Sequence, residues 1–213
     1  MKHILFVILF ICSSSFALTL KEVQNELSKK AFSQDTIEMK IRTTVDFAFG
    51  KQVSDIHLVQ KGASKIYMEM KSPLLNQKTL VSAGKIKTID MNTREEKVLP
   101  YNGTELNLSQ YRAPNLLESG EWKQPEKVSG NMYLIPGKEA NIYYDSKLKQ
   151  ITKVIQTGNP ESNTETDFTY DAVTKDLKTI KTTVDIGGVI TSVLVEIQTL
   201  KSAKDFPDRF FEF

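Results

Sequence analysis

Three residue types are nearly missing from this 213-residue chain: it has one cysteine, two histidines and one tryptophan. One cysteine cannot form an internal disulfide, so stability must come from burial and backbone pairing. Two histidines and a lone thiol leave too few ligands for a zinc site of ordinary composition. His57 lies between Ile56 and Leu58 in a strand-like stretch, which favours a satisfied strand histidine over a triad base. Charge of one sign is lacking too. Lys plus Arg number 28 and Asp plus Glu 26, without the basic excess of a nucleic-acid-binding face. A glycine-rich phosphate loop is missing, because Gly187-Gly188 has neither further glycines nor a helical pattern after it. Carboxylates do cluster, at Glu95-Glu96 and across residues 161–167, but in polar, turn-like surroundings that read as solvated surface. Asn102-Gly103-Thr104 fits a glycosylation sequon, which a bacterial source would leave idle. No catalytic residue, metal ligand or cofactor is assigned.

Long hydrophobic runs are absent beyond residue 12. Ile4 to Cys12 is a run of nine apolar residues. As a helix it would rise only about 14 Å, short of a bilayer core of ~30 Å. The run follows a basic start, Met1-Lys2-His3, and precedes small residues at Ser15 and Ala17. This reads as a secretory signal cleaved after Ala17. A lipoprotein signal acylated at Cys12 is the rival, weakened by Ile11 where a small residue is wanted; a retained anchor is the other. Cleavage removes Lys2, His3 and Cys12, leaving 27 basic residues against 26 acidic and no cysteine. The expected product is one domain, residues 18–213, exported to a bacterial periplasm.

What the chain has is alternation. Residues 19–32 carry a Thr19–Glu22 capping box, with Leu18 placed to staple onto Val23 and Leu20, Val23, Leu27 and Ala31 on one helical face. From Ile37 the period changes to two. Ile37, Met39, Ile41, Val45, Phe47 and Phe49 alternate with polar residues. Further strands are expected at 53–61, 66–71, 80–83, 86–91, 97–99, 128–135, 141–144, 150–157, 164–170, 177–186 and 189–200. Gly187-Gly188 signals a tight hairpin between the last two. Residues 105–118 recur near helical spacing and should form one or two short helices broken at Pro114. The aromatic tail, 206–213, is expected to dock on a sheet edge.

The expected fold is mostly β with few helices. A single strongly curved antiparallel sheet of about 11–12 strands should form an unclosed barrel covered by a helical lid. So much strand with so little helix to cover it leaves two outcomes: an apolar cup with vacant volume, or one filled by its own side chains. Met39, Met68 and Met70 on strand faces suit an adaptable wall, though core filling is the commoner use of methionine.

One stretch carries a family resemblance. Leu58-Val59-Gln60-Lys61, a turn, Ile66-Tyr67-Met68-Glu69-Met70, Ser72-Pro73, then Leu80-Val81-Ser82-Ala83-Gly84-Lys85 and a strand ending at Asp90 resemble the LolA family of outer-membrane lipoprotein carrier proteins. The leading helix, central helices and C-terminal hairpins ending in Phe agree in layout. The resemblance implies an unclosed barrel with a helical lid over a hydrophobic cavity. It also implies a monomeric periplasmic carrier or chaperone for acylated lipoprotein or another lipid, with an inner-membrane ABC transporter as donor and an outer-membrane receptor as acceptor. On that reading Ile37, Met39, Ile41, Val45, Phe47, Ile66, Met68, Met70 and Leu80 line the sheet side, and Leu106, Leu108, Leu116, Leu117 and Trp122 the lid side. The family's lid-latching arginine is replaced by Gly62, which makes the neighbouring Lys61 the candidate latch, and the family's Asp-Gly turn is Ala83-Gly84. Alternatives within the fold are an outer-membrane receptor, a lipid-sensing regulator or a protein-binding module. An enzyme is the reading furthest from these residues.

Overall fold

The computed structural model describes residues 18–30, 36–62, 64–102, 116–118, 120–158 and 162–213. The leader, the central stretch with Leu106 and Leu108, and the Pro114 break lie outside them. Helix α1 spans Leu20–Lys30. It starts one residue later than the pattern suggests because Thr19 is its cap. The Thr19 hydroxyl accepts from the Glu22 N–H at 3.3 Å, and the Glu22 carboxylate accepts from the Thr19 N–H at 2.8 Å and hydroxyl at 2.9 Å.

Thirteen strands follow: β1 (Thr36–Phe47), β2 (Gly50–Lys61), β3 (Lys65–Lys71), β4 (Asn76–Ser82), β5 (Lys85–Asp90), β6 (Glu96–Pro100), β7 (Glu126–Ser129), β8 (Met132–Pro136), β9 (Ala140–Asp145), β10 (Gln150–Gln156), β11 (Ser162–Tyr170), β12 (Leu177–Ile186) and β13 (Val189–Ser202). The count exceeds expectation because 128–135 is not one strand; Gly130 and Asn131 turn it into the β7–β8 hairpin. Strand β4 begins earlier than expected, since its opening residues Asn76, Gln77 and Lys78 hide it from an apolar pattern.

All thirteen strands form one antiparallel sheet in the order β6-β5-β4-β3-β2-β1-β13-β12-β11-β10-β9-β8-β7. β6 and β7 are its free edges, so the barrel is unclosed. β1 pairs with β13, joining an N-terminal half, β1–β6, to a C-terminal half, β7–β13. Every other pair of sheet neighbours is consecutive in sequence, which keeps those loops short; the β6–β7 connection, residues 101–125, instead runs from one edge of the sheet to the other. At Gly187 and Gly188, φ is +60° and +86°. Both central residues of this two-residue turn are left-handed, which is why glycine stands at each.

Alternation gives the sheet an inner and an outer face. On the inner face, register aligns Met39, Leu58 and Met68 in one row and Ile41, Ile56 and Met70 in the next. With Ile37, Ile66 and Val81 they form a buried cluster of the N-terminal half, against which Val195 and Leu200 pack. The second inner cluster belongs to the C-terminal half. Val23 and Leu27 of α1 pack there with Leu117, Ile135, Ile142, Tyr144, Ile151, Phe168 and Leu177. A third cluster sits on the outer face, where Val59, Tyr67 and Leu80 are covered by Ala203, Phe206, Phe210 and Phe211. The aromatic tail thus docks on the face of β2–β4 and not on a sheet edge. Those strands present a row of apolar outward side chains, whereas β6 and β7, the edges, are exposed throughout.

Candidate functional site

A cavity of about 760 Å³, partly open to solvent, lies on the inner face of the C-terminal half. Its floor comes from paired strands. Ile142 lies opposite Val154, and Ala140 opposite Gln156, across β9 and β10. Its roof is Leu116, Gly120, Glu121 and Trp122, and its rim is Lys138, Glu139 and Gly158.

The roof is anchored at several points. The Lys123 N–H donates to the Pro136 carbonyl at 2.8 Å, and Trp122 forms an isolated antiparallel bridge with Gly137. A β-carbon on Gly137 would lie 2.4 Å from the Trp122 ring and 2.8 Å from the Ala140 carbonyl oxygen. Glycine is therefore required for the indole to lie over this turn. Helix α1 ties the same segment down. The Leu20 N–H donates to Gln124 Oε1 and the Gln24 side-chain amide to the Leu117 carbonyl, both at 3.0 Å.

The predicted wall maps onto this structure unevenly. Trp122 and Leu116 line the cavity, and Leu117 is buried beside it under α1. Ile37, Met39, Ile41 and Ile66 are buried in the N-terminal cluster, with Met68 and Met70 packed against it. That part of the inner face is filled by its own side chains. Val45 is half-buried and Phe47 more exposed, toward the end of β1. Leu80 points to the outer face, packed under the tail, because it pairs with Tyr67 and shares Tyr67's side of the sheet. Ala140, Ile142, Val154 and Gln156 were missed. Alternation in β9 and β10 could have found them, but the longer, greasier pattern of β1 and β3 outweighed it.

Lys61, the candidate latch, makes its described contacts with the C-terminal tail. Its ammonium donates to the Phe206 carbonyl, and to the Asp208 carboxylate at 2.8 Å; Lys65 reaches the same carboxylate at 2.9 Å. These two hydrogen bonds hold the Asp208 carboxyl down at about 2. Lys61 is on β2's outer side, so it clamps the C-terminal tail.

His57 also faces that side. Its Nε2 lies 3.0 Å from Glu38 Oε1, and its ring meets Tyr67 and Phe206 edge-on. Burial pushes the Glu38 carboxyl up, but hydrogen bonds from Lys201 and His57 outweigh it and leave it below the ordinary glutamate value. Burial, helped by Glu69, pushes the Tyr67 phenol up to about 12. These polar contacts knit the outer face and the tail together, on the side of the sheet away from the cavity.

Among the described residues no helix is long and apolar enough to cross a membrane. No protein-family model matches the sequence, and no curated protein is significantly similar to it. Solved structures do match. A LolA superfamily protein from Nitrosomonas europaea superposes with a TM-score of 0.57 at 11% identity, covering 92% of this chain and 99% of that one. A domain named for outer-membrane lipoprotein sorting, from Vibrio parahaemolyticus, gives 0.54 at 9% identity over 90% of this chain and 95% of its own. A DUF1329 family protein from Desulfovibrio piger gives 0.53 at 7% identity over 90% and 96%. With the single unclosed sheet and its covering helix, these likenesses show that the chain has a LolA-like fold.

Proposed function

We propose that the protein is a non-enzymatic periplasmic carrier that shields the acyl chains of a lipoprotein, or a related lipid, during transfer from inner to outer membrane. The observation that carries this reading is the cavity beneath Trp122, lined by Leu116, Ala140, Ile142 and Val154, in a LolA-like fold. Its volume lies within the roughly 300–1,000 Å³ of typical ligand sites. Each methylene removed from water contributes about 0.8 kcal/mol, so a vacant apolar hollow supplies the driving force a carrier needs without any reactive group. The Vibrio parahaemolyticus neighbour, named for lipoprotein sorting, supports the cargo class. Export by a signal cleaved after Ala17, an ABC transporter as donor and an outer-membrane receptor as acceptor complete the proposal. The lipid wall moves, in this reading, from β1 and β3 to β9, β10 and the Trp122 segment.

Trp122 is the sole tryptophan, so its fluorescence reports on the roof directly. Titration with a synthetic triacylated lipopeptide should shift its emission to the blue, and native mass spectrometry should find one lipopeptide per chain. Ala140→Leu, which fills the floor, should weaken that binding about tenfold or more, the worth of two or more buried methylenes. A wild-type protein that ignores the lipopeptide by both measurements, or an A140L variant that binds it equally well, overturns the proposal.

A further inference from the structure

Strand direction alternates across the sheet, so the β1–β2, β3–β4, β5–β6, β8–β9, β10–β11 and β12–β13 connections all lie at one end of it. Exposed apolar side chains gather at that end: Leu74, in the β3–β4 connection, is 81% exposed, and two adjacent tips carry four more. Phe49, in the β1–β2 turn, is 97% exposed. Ile186, Val189 and Ile190, around the β12–β13 turn, are 58–60% exposed. The two hairpins are neighbours, since Asp46 pairs with Ser192. Alternation fails here as it does in β2–β4, but these side chains are exposed where those are covered by the tail. Ile186 and Val189 are a directly opposed pair on the inner side, while Ile190 is on the outer side opposite Asp185. An element half in water needs one apolar face; apolar side chains on both faces of a tip suit insertion into an apolar medium.

We infer that these two tips are a membrane-docking rim that seats the cavity end of the protein against a lipid bilayer interface. The inference rests on the carrier reading for its purpose, because the same end of the sheet holds the cavity rim at Lys138, Glu139 and Gly158. Five protruding side chains, Leu74 included, are too few for a stable protein partner, which uses about 20–30 residues a side. They are enough to enter the headgroup boundary, where apolar groups sink some 5–10 Å. Charges behind the tips cancel in pairs. Lys51 meets Asp46 at 2.9 Å and Arg42 meets Asp55 at 2.9 Å. Asp185 is engaged by the Gly188 N–H at 2.8 Å, which stiffens the turn. With two cations against three carboxylates, these tips present no basic excess, so docking depends on burial and not on anionic lipid. The opposite tips differ: among the described residues, Val173 is the one large apolar side chain as exposed there, at 87%.

The test is flotation of the purified protein with unilamellar vesicles, of phosphatidylcholine alone and of phosphatidylethanolamine with phosphatidylglycerol. The wild type should float with both, and added salt should leave this unchanged. A variant combining Phe49→Ser with Ile186→Thr, Val189→Thr and Ile190→Thr keeps β-branched residues in the strands. It should lose about tenfold in vesicle association while binding the triacylated lipopeptide in free solution as the wild type does. Val173→Ser should change neither. Failure of the wild type to float, binding that needs anionic lipid or disappears in salt, or equal loss in V173S overturns the docking rim. So does a dimer in sedimentation that the four-site variant abolishes, since a second copy would then be the occupant. Lipopeptide binding without flotation sinks the rim and spares the carrier reading; flotation without lipopeptide binding does the reverse.

Discussion

The two halves of this sheet obey the same alternation and end differently. In the N-terminal half, the rows Met39–Leu58–Met68 and Ile41–Ile56–Met70 place six large side chains side by side on the inner face. They meet one another and leave Leu58 wholly buried. In the C-terminal half, Ala140 occupies an inner position, Gly137 and Gly158 stand at its end, and an indole spans the gap. There the same pleat leaves a hollow. Side-chain volume, and not hydrophobicity, decides which half holds a cavity: the greasier half is the fuller one. A close-packed interior leaves no room for a ligand merely by being apolar.

The sharpest break of this contrast is in the filled half. Leu58→Ala should lower stability by about 2–5 kcal/mol in urea unfolding, because the rows around it cannot collapse into the gap. The opposite change in the vacant half, A140L, should cost less than about 1.5 kcal/mol, since it grows into existing space. Equal costs for the two would remove the distinction between a packed and a hollow half. The same distinction marks how far sequence reading reached. The Thr19–Glu22 cap, the strand alternation, the Gly187-Gly188 turn and the unclosed single sheet were legible, because each depends on residues near in sequence or on a simple period. The cavity's place was not. It depends on which inner positions carry small side chains and on Trp122 crossing to Gly137, fifteen residues on in sequence. Leu80 was misplaced by taking one apolar residue in β4 as inward. Val81 beside it is the inward one, and the tail that makes Leu80's side apolar comes from the other end of the chain.

A smaller effect should separate the roof from the walls. Gly137→Ala places a methyl group against both Trp122 and the Ala140 carbonyl. One of these contacts is backbone, so the strain is not relieved by a side-chain rotation alone. A loss of about 1–3 kcal/mol is expected, with a red shift of Trp122 emission as the indole is pushed toward water. The N-terminal cluster should not sense the change: methyl resonances of Ile41 and Leu58 should stay in place. Shifts there as large as those at Ile142 would mean that the halves are one packing unit.

The smallest effect concerns the outer face of the filled half, where the tail is clamped. The Asp208 carboxyl, held at about 2 by Lys61 and Lys65, ionises more readily in the folded chain than in the unfolded one. A depressed folded value means that the clamp contributes stability above the ordinary aspartate range near 4 and loses it as pH falls through about 2. The carboxylate is exposed, so solvent screening keeps the contribution modest. The Ala203 methyl, buried in the tail cluster, is a local reporter. In the wild type its NMR shift should hold from neutral pH to about 4 and then move as the pH approaches 2. Asp208→Asn should remove that step while leaving the Ile142 methyl and lipopeptide binding unchanged, because the tail covers the outer face of the N-terminal half, away from the cavity beneath Trp122. Loss of lipopeptide binding in D208N would show instead that tail and hollow are coupled through the sheet, and the functional separation of the two halves would fail with it.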